Sequence, residues 1–482
     1  MTDPDLRYGT PQARWVIGAA VAGSGIAFLD STVVNVALPH ISADLGGGLS
    51  GLQWTLDAYL VTMTALLLLG GSLGDLFGRR RVFILGLIGF SVASLACGLA
   101  PTIELLIIFR AMQGAAGALL VPSSLAIISA SFHPDDRARA VGAWSGLGAA
   151  AGAIGPFVGG WLVDAFSWRP VFFINLPLAA AAVVATLRHV PESSGGSGAR
   201  RPDLQGAGLI TVALAATTYG LIEVGSGLTT PVAIALATGA VAFIGFLVVE
   251  NRVRHPLLPL GLFRSRQFSG ANLVTLSVYS GLGVTSFLIV VQLQVGLGYS
   301  ALAAGAALLP VTVLMAAFSA RSGALAQRIG PRPQMTIGPL FVAAGLLLYT
   351  RVQPEASYLE AVLPGAAVFG LGVTLLVAPL TATVLAAVDT NQAGIASGVN
   401  NAVARLAGLL AIALLPGLAG ITAAEPGVGF GPGFATALQI AAGLCVIGSM
   451  VAFATIRTAE RVRTVSQSLQ VTCQDPCLVE VA

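Results

Sequence analysis

Asp30 lies in the stretch Phe28-Leu29-Asp30-Ser31-Thr32-Val33-Val34-Asn35-Val36-Ala37-Leu38-Pro39, more than a dozen residues into an apolar run. A carboxyl in such surroundings is costly when ionised, whereas a neighbouring guanidinium favours the ionised form. A group pulled both ways can take up and release a proton. Arg110 interrupts another apolar run, in Phe109-Arg110-Ala111-Met112-Gln113-Gly114. A guanidinium at membrane depth costs about 2.5–3.5 kcal/mol unless it is paired or meets water. Arg110 is therefore expected to face the bundle interior, where it is the candidate regulator of Asp30 as proton-coupling acid; a structural Asp30 satisfied by helix hydroxyls is the competing reading. Asn400, Asn401 and Arg405 break a helix of small apolar residues, and with Asn35 they are the candidate lining of a substrate cavity; interhelical hydrogen bonding is the competing reading. Asp57, Gln292 and Gln294 are candidates for an outer vestibule, and Glu223 for an interfacial position. Cys97 and Cys445 fall in apolar runs and Cys473 and Cys477 in a polar tail, which makes neither a zinc quartet nor a disulfide framework. No metal site and no catalytic residue is expected.

These side chains need walls, and the composition says what kind. Of 482 residues, 56% are apolar and 9% charged, at a mean hydropathy of +0.87, where a soluble domain carries about 25% charge. Apolar runs of roughly 20 residues, each long enough to cross hydrocarbon, recur fourteen times. They lie near 15–38, 52–73, 82–99, 103–127, 140–163 and 170–187, then 205–223 and 231–250, then 268–293, 300–319, 335–350, 360–386, 394–420 and 434–456. The runs are uniformly apolar rather than alternating, so they read as helices and not barrel strands. The first is followed by thirteen more and has no small-residue cleavage site, so it reads as a span and not a signal peptide. The fold class is an all-α membrane protein of fourteen helices, laid out as six, two and six. The boundaries are a cytoplasmic N-terminus over 1–14, a six-helix bundle over 15–187 and a solvated linker over 188–204. Two inserted helices follow over 205–250, then a basic loop over 251–267, a second six-helix bundle over 268–456 and a tail over 457–482.

All 24 basic residues are arginine, and with the N-terminus inside, twenty of them fall in inner segments. Only Arg169 and Arg351 fall in outer loops, and Arg110 and Arg405 within spans. Basic loops stay cytoplasmic, so both termini are expected in the cytoplasm. The net charge of +3 is too small to suggest nucleic acid as a partner; lipid, protons and a small solute are the expected ones. A 252-residue shift brings Gly71 to Arg80 over Gly323 to Arg332, and Gly142 and Gly146 over Gly394 and Gly398. Two halves related in this way, with a site between them at mid-membrane, are how rocker-type transporters are built.

The inner loop Gly71-x-x-Gly74-Asp75-x-x-Gly78-Arg79-Arg80-Arg81 resembles the signature loop of the major facilitator superfamily, differing at Gly74 and Leu76. Arg110, Gln113 and Gly114 match that superfamily's proton-antiporter motif, and Gly155-Pro156-x-x-Gly159-Gly160 resembles its exporter motif. The stretch around Asp30 is similar to a motif of its fourteen-span drug:proton antiporter branch. The resemblance implies the major facilitator fold, two six-helix bundles plus two inserted helices. It also implies proton-coupled export of amphipathic, often cationic or aromatic, small molecules by alternating access. Gly71, Gly74, Asp75, Gly78 and Arg79 would form a conformational switch, with no cofactor beyond the proton gradient, in a monomer in the cell membrane. A dedicated exporter of one endogenous metabolite (antibiotic, siderophore or lipid) would share every motif. A membrane enzyme or receptor would need a clustered catalytic constellation or a large soluble domain, and the repeat opposes a channel. No nucleotide-cradling loop is present to suggest ATP coupling.

Overall fold

The computed structural model describes residues 6–194, 203–253, 256–389 and 392–457, and within them every long element is a helix. In chain order these are α1 (Pro11–Leu45), α2 (Gly48–Phe77), α3 (Arg79–Leu99), α4 (Ile103–Ser131), α5 (Pro134–Ala165) and α6 (Pro170–His189). Next come α7 (Leu204–Glu223) and α8 (Thr230–Arg252). The last six are α9 (Arg266–Gly296), α10 (Ala301–Ile329), α11 (Pro331–Tyr349), α12 (Tyr358–Ala386), α13 (Gly394–Leu418) and α14 (Pro432–Thr455). Thirteen are long and apolar enough to cross a bilayer, and α11, at 19 residues, packs between α12 and α14. The linker glycines and arginines at 195–202, Arg254, and the tail from 458 with Cys473 and Cys477 lie outside the described residues.

Helix ends follow the local chemistry. Thr10, Thr102, Asp203, Ser265 and Ser300 each accept a hydrogen bond from an amide of the first turn that has no helical partner. Gly78 and Gly330, 252 residues apart, both hold positive φ (101° and 85°). They break the chain between α2 and α3 and again between α10 and α11, where a side chain would be strained. Several helices outrun their apolar runs; α10 stays helical through Arg321 and Arg328, because arginine is a good helix former and its head group reaches water. The bundle is inside out relative to a soluble protein. On α3, Leu85, Ile88, Val92, Leu95 and Leu99 repeat at helical spacing and are exposed, whereas Phe83, Leu87, Phe90, Ser94 and Cys97 point inward. That is the surface lipid requires.

Packing repeats with the sequence. In the first half α1 packs on α5 and α6, α2 on α4, and α3 on α4 and α6; eight helices later α9 packs on α13 and α14, α10 on α12, and α11 on α12 and α14. The halves touch reciprocally, α2 on α13 and the start of α10 on α5, and α7 lies on the seam against both α2 and α13 with α8 outside it. The α5 seam runs along Ala301–Ala307, beyond which α10 leaves it. Gly142 and Gly146 of α5 and Gly394 of α13 face open space. At the face where α1 begins and α14 ends, the terminal face, these glycines leave the α5 side of the seam open while Gly398 of α13 still meets Leu68 of α2; at the opposite, far face α5 closes on α10.

Candidate functional site

Asp30 and Arg110 are both fully buried and in contact: Arg110 Nη1 lies 2.5 Å from Asp30 Oδ2. The other carboxylate oxygen, Oδ1, accepts from Gln113 Nε2 at 2.9 Å and from Asn175 Nδ2 at 2.9 Å. Arg110 also donates from Nε to the Thr55 carbonyl at 3.0 Å and from Nη1 to Gln113 Oε1 at 2.7 Å. Its guanidinium lies over the Tyr59 ring at 4.4 Å and near that of Phe172 at 5.8 Å. Ser94 Oγ accepts from Gln113 and Asn175 and donates to the Phe172 carbonyl. The result is a buried polar knot of five side chains from α1, α3, α4 and α6. A buried ion pair is weak evidence of stability, but removing one partner strands the other charge at a cost of about 3–5 kcal/mol. The knot therefore holds α1 against α4 and α6.

Gly114 makes the approach possible. A Cβ there would collide with the Tyr59 carbonyl and the Thr62 hydroxyl of α2, so its absence lets α4 reach α2 and carries Arg110 to Thr55. Asn175, Ser94, Thr55 and Tyr59 were not singled out by sequence. Asn175 was the most legible of them, as an amide in the apolar stretch Phe172-Phe173-Ile174-Asn175-Leu176.

At the terminal face Asp75 pairs with Arg79 one turn away, at 2.9 Å to Nη2 and 3.0 Å to Nε. Arg79 Nη1 reaches the Ala126 carbonyl on α4 at 3.5 Å. Gly71 and Gly74 lie against Pro122 and Ser123 of α4. The beginning of the stretch expected as a solvated linker is tied to this corner. The Arg79 amide donates to the Ser193 carbonyl at 2.8 Å, Arg80 Nη1 to that of Val190 at 3.2 Å, and the Arg80 amide to Glu192 at 3.1 Å. Glu192 is the anchor, accepting from the Arg80 amide and lying 3.8 Å from Arg81 Nε.

The glycines of α5 have two faces. Gly155 and Gly159 lie against Leu29, Thr32 and Val33 of α1, and Thr32 Oγ1 donates to the Gly152 carbonyl at 2.9 Å. Gly160 lies against the Leu302 backbone, and Gly305 against the Pro156 carbonyl. The Gly-Pro-x-x-Gly-Gly stretch thus packs α5 on α1 and seals the far face against the second half. Asp164 completes the seal by accepting from the amides of Ala301 at 3.0 Å and Leu302 at 2.9 Å.

In the second half Asn400 is engaged in a seam with α9, donating to Asn272 Oδ1 at 3.2 Å and Thr275 Oγ1 at 2.8 Å. Asn401 is exposed one turn from Arg405. Arg405 crosses to the first half, with Nη1 3.2 Å from Met63 Sδ and its guanidinium 5.9 Å from the Phe28 ring. Asn35 donates to the Ser31 carbonyl, and its own side-chain oxygen has no partner. Gln292 and Gln294 lie in one wide turn of α9, Gln292–Gly296, and are buried. Gln292 accepts from the Phe430 amide at 2.9 Å, and Gln294 Nε2 donates to the Val36 carbonyl of α1 at 3.0 Å. Asp57 is buried with neither oxygen bonded, and Ser50 donates to Glu223 at 2.9 Å.

The sequence profile of the Major Facilitator Superfamily matches residues 20–412. The puromycin resistance protein pur8 of Streptomyces alboniger is 36% identical over 410 residues, 84% of this chain and 81% of that one. The multidrug resistance protein Stp of Mycobacterium tuberculosis is 36% identical over 80% of this chain and 72% of its own. The tetracenomycin C resistance and export protein of Streptomyces glaucescens is 34% identical over 82% and 74%. Among solved structures, a peptide transporter POT in complex with sulfate superposes with a TM-score of 0.66 at 15% identity, over 94% of this chain and 96% of that one, which speaks to the fold.

Proposed function

The chain belongs to the Major Facilitator Superfamily, and from that premise we propose that it is a proton-coupled, multidrug-type exporter of amphipathic small molecules. The observation that carries this reading is the enclosed Asp30–Arg110 pair. A carboxylate deep in a span, ion-paired with a single cation, supports a proton-coupling role for the two. The names of the relatives, resistance and export proteins, support the outward direction. We further infer a monomer in the cell membrane, with both termini and the terminal face in the cytoplasm. The halves then part toward the cytoplasm, with Asp30 ionised and paired. Substrate enters between them, the halves rock, and a proton arriving from outside neutralises Asp30 and frees Arg110 as substrate leaves. Return to the inward-open state delivers the proton to the cytoplasm and restores the pair. In this scheme Gly71, Gly74, Asp75, Gly78 and Arg79 act at the corner that moves against α4, and the two bundles are the rigid bodies. A dedicated exporter of a single antibiotic is the second reading, favoured by the relative named for tetracenomycin C.

The test is reconstitution in proteoliposomes loaded with a fluorescent amphiphile under an imposed pH gradient. The parent concentrates the dye against its gradient, whereas Asp30→Asn supports only downhill exchange. Normal uphill transport by Asp30→Asn would move the proton to another residue and sink the coupling scheme.

A further inference from the structure

Arg110 and Arg405 interrupt the apolar runs, and Arg110 is engaged by Asp30. Arg405 has no such partner. Its Nη1 meets a thioether, Met63 Sδ at 3.2 Å, and its guanidinium a ring, Phe28 at 5.9 Å. Its Nε is buried without a hydrogen-bond partner. A thioether is a weak acceptor, and no ion pair with Arg405 occurs among the described residues. Asp57, six residues before Met63 on α2, does not bond to it. An unpartnered guanidinium donor in a low-dielectric seam favours an anionic or strongly accepting oxygen, to which charge-assisted hydrogen bonds are about twice as strong as neutral ones.

Its position is that of a ligand site. Met63 and Phe28 belong to the first half and Arg405 to the second, so the guanidinium bridges the seam along which the halves separate. Ser397, Asn401 and Arg405 follow at four-residue spacing on one face of α13, and Asn401 is exposed one turn toward the open terminal face. A polar stripe thus leads from the open side to Arg405. The carboxylate that would attract a cation is closed off: Asp30 is fully buried behind donors from Arg110, Gln113 and Asn175. A solute entering from the terminal face meets a positive charge flanked by an aromatic ring and a thioether.

We propose that Arg405 is the counter-ion of the substrate, and that the chain exports aromatic amphiphiles bearing an anionic oxygen, a carboxylate or an ionised phenol, in preference to lipophilic cations. The assignment rests on the exporter reading and narrows it.

The test uses the full chain in phosphatidylcholine nanodiscs, titrated with 3-hydroxy-2-naphthoate, its methyl ester and naphthylmethylammonium. The parent binds the carboxylate about tenfold or more tighter than the other two, Arg405→Gln loses that preference, and Arg405→Lys retains part of it. Equal binding of acid and ester by the parent, or an undiminished preference in Arg405→Gln, overturns the proposal. If Arg405→Gln does not elute as a folded protein, the parent's acid-to-ester ratio and Arg405→Lys decide. Anionic lipid headgroups share this chemistry, so the titration is repeated with phosphatidylglycerol in the discs. A retained acid preference supports a soluble substrate, and its loss assigns Arg405 to lipid and overturns the proposal. In proteoliposomes, pH-driven expulsion of ester and ammonium as fast as of the acid leaves the exporter standing and removes the charge assignment; no expulsion of any of the three removes both.

Discussion

Asp164 is the perturbation whose consequence follows most directly from geometry. Its carboxylate, at the end of α5, accepts from the amides of Ala301 and Leu302, the first two residues of α10, at 3.0 and 2.9 Å. Ser300 Oγ takes the third, from Ala303, at 3.2 Å. Amides in a first turn have no helical partner, so a carboxylate from the other half caps this helix, and only while the far face is closed. An N-cap contributes about 0.5–2 kcal/mol and a charge on the helix dipole about 0.3–1 kcal/mol more. Because Asp164 is exposed and screened by salt, the lower part of both ranges applies, about 1–2 kcal/mol in all. At about 1.4 kcal/mol per factor of ten, Asp164→Ala should shift the balance toward a far-face-open conformer roughly five- to thirtyfold. Asp164→Asn, which keeps one acceptor, should fall between. The assay is pulsed electron resonance between spin labels at Phe166 and Leu359, both exposed at the far face, in a background without the native cysteines. The alanine variant should lose weight in its shortest-distance population. An unchanged distribution would show that the cap contributes nothing to closure.

Replacing Gly160 by leucine puts a side chain into the Leu302 backbone. Overpacking costs about 1–3 kcal/mol, so the same labels should report an open far face and pH-driven export should fail; normal export would mean that the seam yields. Asn175→Leu removes two hydrogen bonds from the knot and should lower unfolding free energy by about 1.5–3 kcal/mol. The loss should shrink in an Asp30→Asn background, where the charge it serves is gone, and equal losses would assign Asn175 to packing alone. Asp75→Asn breaks the pair with Arg79 far from the seam around Arg405, so it should slow export while leaving substrate affinity in detergent nearly intact; a parallel loss of binding would place the corner in the substrate path.

The fold was legible because lipid leaves a chain few choices: fourteen apolar runs, two glycine-broken corners 252 residues apart, and arginines gathered on one side. The meeting of Asp30 and Arg110 could be anticipated for the same reason, since isolated charges in apolar helices have to find one another. The rest of the knot was hidden. Ser94 and Asn175 are uncharged, and polar residues of that size occur in spans as helix-packing groups, so nothing in their neighbours marks them. Asp164 was hidden for a different reason, since its partners are backbone amides 137 and 138 residues away, and an amide has no sequence signature. Glu192 sat in a stretch whose serines and glycines read as solvated linker, and only the fold brings it to Arg80 and Arg81.

Linking a proton to a gate requires an element that both sites bias, and α1 touches both the knot and the α5 seam. One face carries Asp30 into the knot with α4 and α6. Another carries Phe28, Thr32 and Val33 against the glycines of α5, whose far end holds Gly160 and Asp164 on α10. Less than two turns beyond Asp30, the Val36 carbonyl accepts from Gln294 of the second half. Magnitudes then decide which contact governs. Neutralising Asp30 strands Arg110 at a cost of about 3–5 kcal/mol, whereas the Asp164 cap contributes about 1–2 kcal/mol. The outer latch can bias the balance between conformers but cannot hold α1 and α5 in place once the knot is broken. By these magnitudes the Asp30–Arg110 pair, rather than the Asp164 cap, is the stronger of the two contacts that α1 and its neighbours make.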